Sequence, residues 1–429
     1  MSESAFQVYR YRWIVLLVFM VAVAMNQLLW ITFAPITSQA AAFYGVSELD
    51  IGMLSMCFMI VYVLVSIPAS WVIDTYGIRV GVGTGVALTG VFGLLRGLSP
   101  HSYGLVLASQ IGIAVGQPFI LNAVTTVAAR WFAPRERGTA SGLGSLSIYL
   151  GILLGLALTP TLTLRHQMSG MLLVYGVTAL GAAVLFFALA RERPPTPPCP
   201  PGLEARALVL DGFKRIFRHR GFLLLLAIFF VGLGAFNAVT TWIEEIVRPR
   251  GFGSEQAGLI GGAMIVGGVL GAVVLPTLSD RVRRRKPFIL AAIAGAMLGL
   301  VGVTWAQGFG LLVTSALVLG FFLLSAGPIG FQYGAEMTFP IPEGTSNGLL
   351  LLVGQISGIL FIFAMDAVKS PADGSMAGSL VGLVILLALC LGLGALLKEP
   401  ATLLTQAGDA AAARKAGPSR GAPSDSTAR

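Results

Sequence analysis

Ser66 to Arg79 reads SIPASWVIDTYGIR, and Val274 to Lys286 reads VLPTLSDRVRRRK, which puts Asp280 in the place of Asp74, 206 positions on (280 − 74). The same offset lays ARWFAPRERGTASGL on EMTFPIPEGTSNGL: Pro134 falls on Pro340, Gly138 on Gly344, Thr139 on Thr345 and Gly142 on Gly348. Each echo is a short polar break between long apolar runs. The chain is therefore two copies of one plan, and the repeat concerns how helices are joined at one face of a membrane.

Composition agrees with that reading. The 429 residues are 56% hydrophobic and 11% charged, with a mean hydropathy of +0.85, so there are too few charges to cover a soluble surface. Taking apolar runs of about 20 residues as spans gives twelve, at 13–40, 49–73, 79–98, 102–130, 138–160, 169–190, 221–247, 255–279, 287–306, 309–336, 345–367 and 375–397. The 54 glycines suit closely packed membrane helices. Cys57, Cys199 and Cys390 lie far apart without metal-ligand or CxxC spacing.

The net charge of +9 is a topology signal. With the N-terminus inside, 23 of the 28 Lys and Arg fall on inner segments, leaving Arg96, Arg165, Arg248, Arg250 and Lys369 toward the outer side. The positive-inside rule then places both termini and both Asp-bearing loops in the cytoplasm of a multi-pass cell-membrane protein, with no nucleic-acid footprint. The first run reads as a permanent span and not a cleaved leader, since it carries Asn26, Gln27 and Trp30 and eleven spans follow. Residues 1–191 form one six-helix half and 221–398 the other. Between them, 192–220 is a proline-rich and basic linker, and 399–429 has the composition of a disordered tail.

Polar residues inside the spans are the candidates for function, because each needs a partner or a wet cavity. Asn26, Trp30 and Phe33 share one face of the first span at i, i+4 and i+7. Asn237, Thr240 or Thr241, and Glu244 repeat that pattern in the seventh span. Gln110 and Gln117 lie on the fourth span, and Gln355 on the eleventh at a depth similar to Gln117. Glu244 and Glu245 read as a solvated outer rim pairing with Arg248, while Arg130, Glu136 and Arg137 mark the inner edge. No carboxylate or histidine sits at mid-membrane, and Walker-type loops, nucleophile elbows and metal clusters are absent from the sequence. A pump driven by ATP, an intramembrane enzyme, a cofactor and a metal are all unsupported.

Asp74, Gly77 and Arg79 resemble the loop 2/3 signature of the major facilitator superfamily, Gly-x-x-x-Asp-Arg/Lys-x-Gly-x-Arg/Lys-Arg/Lys, with Ser70, Thr75 and Val80 departing from it. Asp280-Arg281 and the run Arg283 to Lys286 supply the missing charges in the second copy. The resemblance implies that Asp74 docks on the start of the eleventh helix at Gly344-Thr345-Ser346, and Asp280 on the start of the fifth at Gly138-Thr139, where helix dipoles favour a carboxylate. Such contacts close the cytoplasmic side and break on inward opening.

A closer resemblance is to the feline leukaemia virus subgroup C receptor branch, which includes choline and ethanolamine transporters and proteins proposed to carry haem. It is carried by YRYRWIVLLVF at 9–19, NQLLWITFAP at 26–35, MLSMCFMIVY at 53–62, GQPFIL at 116–121, ARWFAPRERGTASGLG at 129–144 and PEGTSNGLLLLVGQISGIL at 342–360. The resemblance implies that Trp30 contacts an ammonium head and that Gln117 and Gln355 are cavity glutamines. Asn237 stands where choline transporters of the branch have a tyrosine. The expectation is an all-α, twelve-helix major facilitator of two pseudo-symmetric bundles, monomeric in the bilayer. It would move a small polar, choline- or ethanolamine-like solute as a facilitative uniporter. A proton-coupled carrier using Glu336 or Asp74, and a non-transporting receptor or scaffold, stay open.

Overall fold

The structure, a computed structural model, describes residues 8–133, 136–196, 216–217, 219–338 and 343–399. In the first half, α1 (Arg12–Ile31) passes through a short 3-10 turn (Ala34–Ile36) into α2 (Thr37–Tyr44), making one crossing. Next come α3 (Glu48–Tyr76), α4 (Ile78–Leu98), α5 (Tyr103–Leu121) running on into α6 (Val124–Trp131), and α7 (Arg137–Leu189). The second half holds α8 (Arg220–Thr241), the short α9 (Ile243–Val247) beyond it, α10 (Ser254–Val282), α11 (Lys286–Trp305), α12 (Phe309–Thr338), α13 (Glu343–Ala367) and α14 (Ala377–Ala395).

Among the described residues, eleven helices are long and apolar enough to cross a membrane. One of them, α7, has 53 residues, about 80 Å at 1.5 Å per residue, far beyond a hydrocarbon core of about 30 Å. Its backbone breaks at Gln167, where φ is 59°, so α7 is two crossings and the total is the twelve read from the sequence. An even number puts both ends of the described chain on one side, called here the terminal face; the opposite side is the distal face.

Local chemistry fixes where helices begin. Ser47 and Asp50 close a reciprocal capping box at the start of α3. Gly77, at φ +91°, separates α3 from α4 in a conformation open to glycine. Glu192 then accepts from the backbone N–H groups of Ile78 (3.1 Å) and Arg79 (2.7 Å) at the start of α4. In the second half Glu399 accepts from those of Arg285 (3.0 Å) and Lys286 (3.0 Å) at the start of α11. Both carboxylates satisfy orphan donors at a positive helix end. The sequence assigned one to the linker and the other to the tail.

The first half is tied together by buried polar contacts. Where α1 breaks, the freed carbonyl of Leu29 accepts from Arg96 (3.3 Å) and Gln110 (3.0 Å), and Arg96 also donates to Gln110 at 2.7 Å. Arg96 is wholly buried on α4, so its place is inside the bundle and not among outer surface charges. Small residues allow the close approach of neighbouring helices: a Cβ at Gly85 of α4 would stand 2.6 Å from the carbonyl oxygen of Gly116 of α5.

Candidate functional site

The two halves touch at the distal face. There α7 and α10 are so close that any side chain at Gly258 would strike the carbonyl of Leu156. Ser38, at the start of α2, donates its backbone N–H to Glu244 of α9 at 2.8 Å, and its hydroxyl donates to the same carboxylate. Gln39 donates to Ser254 at 3.1 Å. Glu48 of the first half accepts from Arg248 and Lys369 of the second, and each of those cations also donates to Glu245 at 2.6 Å. The expected pairing of Arg248 with the rim is present, but the rim is not solvated. Glu244 is 2% exposed and Glu245 0%, because α2 and the start of α3 lie over α9. Burial pushes the Glu245 carboxyl up to about 7, with the Glu48 carboxyl beside it acting in the same direction and Lys369 opposing it.

Toward the terminal face the halves part around a cavity of about 1160 Å³. One wall is the first crossing of α7, which presents Ser141, Ser145 and Tyr149 at successive i+4 positions. The facing walls come from α8, α10, α11 and α12 and are apolar but for Thr277 and Asp280 at one end. Phe229 and Phe331 line it as a tilted pair with ring centroids 5.3 Å apart. Asp280 faces Gly138 and Thr139 across the mouth.

Around that mouth the charged residues pair locally. Asp280 pairs with Arg285, which also holds Glu336 at 3.0 Å. Arg130, near Asp74, pairs with Glu192, and Arg12 pairs with Glu136 at 3.1 Å. Each of these ion pairs stays within one half. Arg137 donates to the carbonyl of Phe132 at 3.3 Å, and Arg281 is exposed. Gly344 lies in the first turn of α13, where Thr345 and Ser346 are buried.

The intramembrane candidates have different surroundings from those drawn on a helical wheel. Asn26 donates to Thr89 (3.1 Å) and to the carbonyl of Ile113 (3.4 Å), and Trp30 donates to the carbonyl of Ser55 (3.1 Å). Phe33 lies under the Arg96 guanidinium at 5.5 Å. That face of α1 thus turns into its own half. Asn237 donates to the carbonyl of Gly354 at 3.4 Å and Thr240 to that of Phe236 at 2.6 Å. The buried Thr241 hydroxyl has no partner among the described residues. Gln117 is buried and Gln355 half-buried, and no hydrogen bond to either amide occurs among the described residues. Tyr149 was not foreseen, although a signal existed: it lies one repeat, 206 positions, before Gln355.

Residues 15–362 match the Major Facilitator Superfamily profile. The chain belongs to that superfamily. Within it, the human choline/ethanolamine transporter FLVCR2 is 31% identical over 385 residues, spanning 85% of this chain and 73% of that protein. The choline/ethanolamine transporter FLVCR1 of Felis catus is 32% identical over 412 residues, spanning 90% and 73%. This major facilitator is thus a member of the feline leukaemia virus subgroup C receptor branch. Its fold is similar to that of a bacterial homologue of the human lysosomal transporter Spinster, solved inward-facing and unoccupied, with a TM-score of 0.71, 17% identity and coverage of 90% of this chain and 97% of that one. The chain is a membrane transporter and not an enzyme.

Proposed function

We propose that this major facilitator carries a small amine of the choline or ethanolamine class down its gradient, as a facilitative uniporter and a monomer. The reading rests on one observation above the rest: a cavity with a polar stripe on one wall lies between halves that are fastened together at one face and parted at the other. Tyr149, on the polar stripe of α7, offers an ammonium group a ring able to contribute about 0.5–2 kcal/mol without a fixed counter-charge. The names of the similar proteins point to the same solutes.

Gln117 and Gln355, whose amides are free of partners among the described residues, are the amide ligands in this proposal. Trp30, Asn26, Phe33, Asn237, Thr240 and Thr241 line the helices that rearrange around the solute. The excess of Lys and Arg on the terminal side makes that face cytoplasmic and the protein one of the cell membrane. The conformation is then inward-facing, with the latch of Asp74, Gly77, Arg79 and Asp280 against the helix starts at Gly138 and Gly344 released. Uptake of labelled choline and ethanolamine into proteoliposomes tests the reading. Saturable, protonophore-insensitive entry of either is expected; entry of neither, in vesicles where the protein is folded, defeats it.

A further inference from the structure

We infer that the solute carries a hydrocarbon chain as well as an amine, and that the second half of the cavity is the chain's binding site. The inference rests on the amine reading above for its head group only.

Three observations carry it. The first is size: about 1160 Å³ exceeds the 300–1,000 Å³ that commonly encloses a drug-sized ligand, and a bare choline has only a handful of heavy atoms. The second is the sorting of the walls. Polar side chains are confined to one stripe of α7 and to the mouth at Thr277 and Asp280, while α8, α11 and α12 face them with leucine, isoleucine and phenylalanine. A uniformly polar solute gains nothing from that wall; an amphiphile matches both. The third is the reach of the apolar lining. Ile289, Ile293 and Ala296 of α11 and Leu387 and Cys390 of α14 also line the cavity. Cys390 also lines a separate apolar groove of about 430 Å³ on the other side, between α8, α13 and α14. Cys390 thus lines both the cavity and an apolar groove on the other side of α14, a path by which an alkyl chain could come from the bilayer.

The room is made by glycines. At Gly232 of α8 and Gly327 of α12, both lining the cavity, an added Cβ would meet nothing within 4 Å. Larger side chains there would fill the space without a clash at the first atom. The occupant is a single alkyl chain attached to an ammonium head, oriented with the head toward the α7 stripe and the Asp280 carboxylate at the mouth.

The test is a homologous series, tetramethylammonium, hexyltrimethylammonium and octyltrimethylammonium, titrated below their micellar concentrations into the full-length protein in nanodiscs. Burying a methylene contributes about 0.8 kcal/mol, or about fourfold, so hexyl to octyl, two methylenes, should tighten the Kd by roughly fifteenfold. Gly232→Leu and Gly327→Leu should each remove most of that gain and leave tetramethylammonium unchanged. Hexanol and octanol serve as neutral probes. If they show the same glycine-sensitive gain while tetramethylammonium does not bind, the chain site stands and the amine reading fails. A Kd independent of chain length overturns the inference, and is what a resident lipid filling the cavity would give. A gain equally large in both leucine variants overturns it as well, since that is simple partition into the bilayer.

Discussion

Ser38 and Glu244 are one repeat apart, 206 positions, and hydrogen-bond to each other, with the Ser38 N–H donating to the Glu244 carboxylate at 2.8 Å. A residue that touches its own repeat-mate lies on the axis relating the two halves, so this contact marks where that axis leaves the distal face. The neighbouring contacts obey the same operation. Gln39 meets Ser254 on one side, and their counterparts one repeat away, Glu245 and Glu48, share Arg248 and Lys369 on the other. One flank of the closure is neutral and its mirror flank is ionic.

Glu48→Gln should weaken the ionic flank and shift the protein toward the distal-open form. Arg248 is 38% exposed and Glu48 24%, so screening reduces the effect to about 1–2 kcal/mol, a population change of roughly tenfold. Spin-label distances across the distal face report it; an unchanged distribution would remove Glu48 from the closure.

Distal closure should depend on pH with a defined sign. Glu245 is pushed up to about 7 when buried, in the company of Glu48, Glu244, Asp366, Arg248 and Lys369. Opening hydrates it and returns it toward the ordinary value of 4.5. Between these values the closed form binds more protons than the open one, so acid stabilises closure and raising the pH through about 7 weakens it, by at most about tenfold per pH unit. Glu245→Gln should flatten the profile, and a profile surviving in that variant would assign the titration to another group.

Two glycines at helix starts near the terminal face should respond oppositely to alanine. Gly77 has φ +91°, and a Cβ there would also collide with the Glu192 carboxylate, so Gly77→Ala should cost about 1–3 kcal/mol and loosen the start of α4. At Gly138, near the start of α7, a Cβ meets nothing within 4 Å, so Gly138→Ala should stabilise the helix by up to about 1 kcal/mol. Hydrogen exchange at 78–81 and at 138–142 separates the two outcomes.

Arg96→Met should lower the unfolding temperature although it removes a buried charge. It leaves Gln110 Oε1 without its donor at 2.7 Å and takes one of three donors from the Leu29 carbonyl, a loss of about 1–3 kcal/mol. A thermal melt in nanodiscs unchanged from the parent would show that the Gln110 contact alone holds the break in α1.

Tyr149→Phe and Gln355→Leu should each raise the KM for amine uptake several-fold without lowering the unfolding temperature. A loss of KM effect in both would detach the repeat-related pair from the solute.

Much of this architecture was legible in the residues. Apolar runs separated by basic breaks counted the spans correctly, because a bilayer permits few alternatives, and the Asp74–Asp280 offset exposed the duplication. Facing was harder to read. A helical wheel groups Asn26, Trp30 and Phe33 but cannot say whether that face meets the cavity or, as found, α3, α4 and α5. Charge pairing across distance was also hidden: Glu48 and Lys369 stand 321 positions apart, and nothing local to either announces the other. Glu192 and Glu399 were lost in segments whose composition spoke of linker and tail, and only their hydrogen bonds to helix starts reveal the role.

The contact between Gly258 and Leu156 gives the molecule a fulcrum. From Leu156 to the mouth at Gly138 the helix runs about 27 Å, so a rocking of about 10° at that contact swings the mouth by about 5 Å while the contact itself hardly moves. A bulky side chain at Gly258 would leave both jaws intact and take away the pin on which they turn.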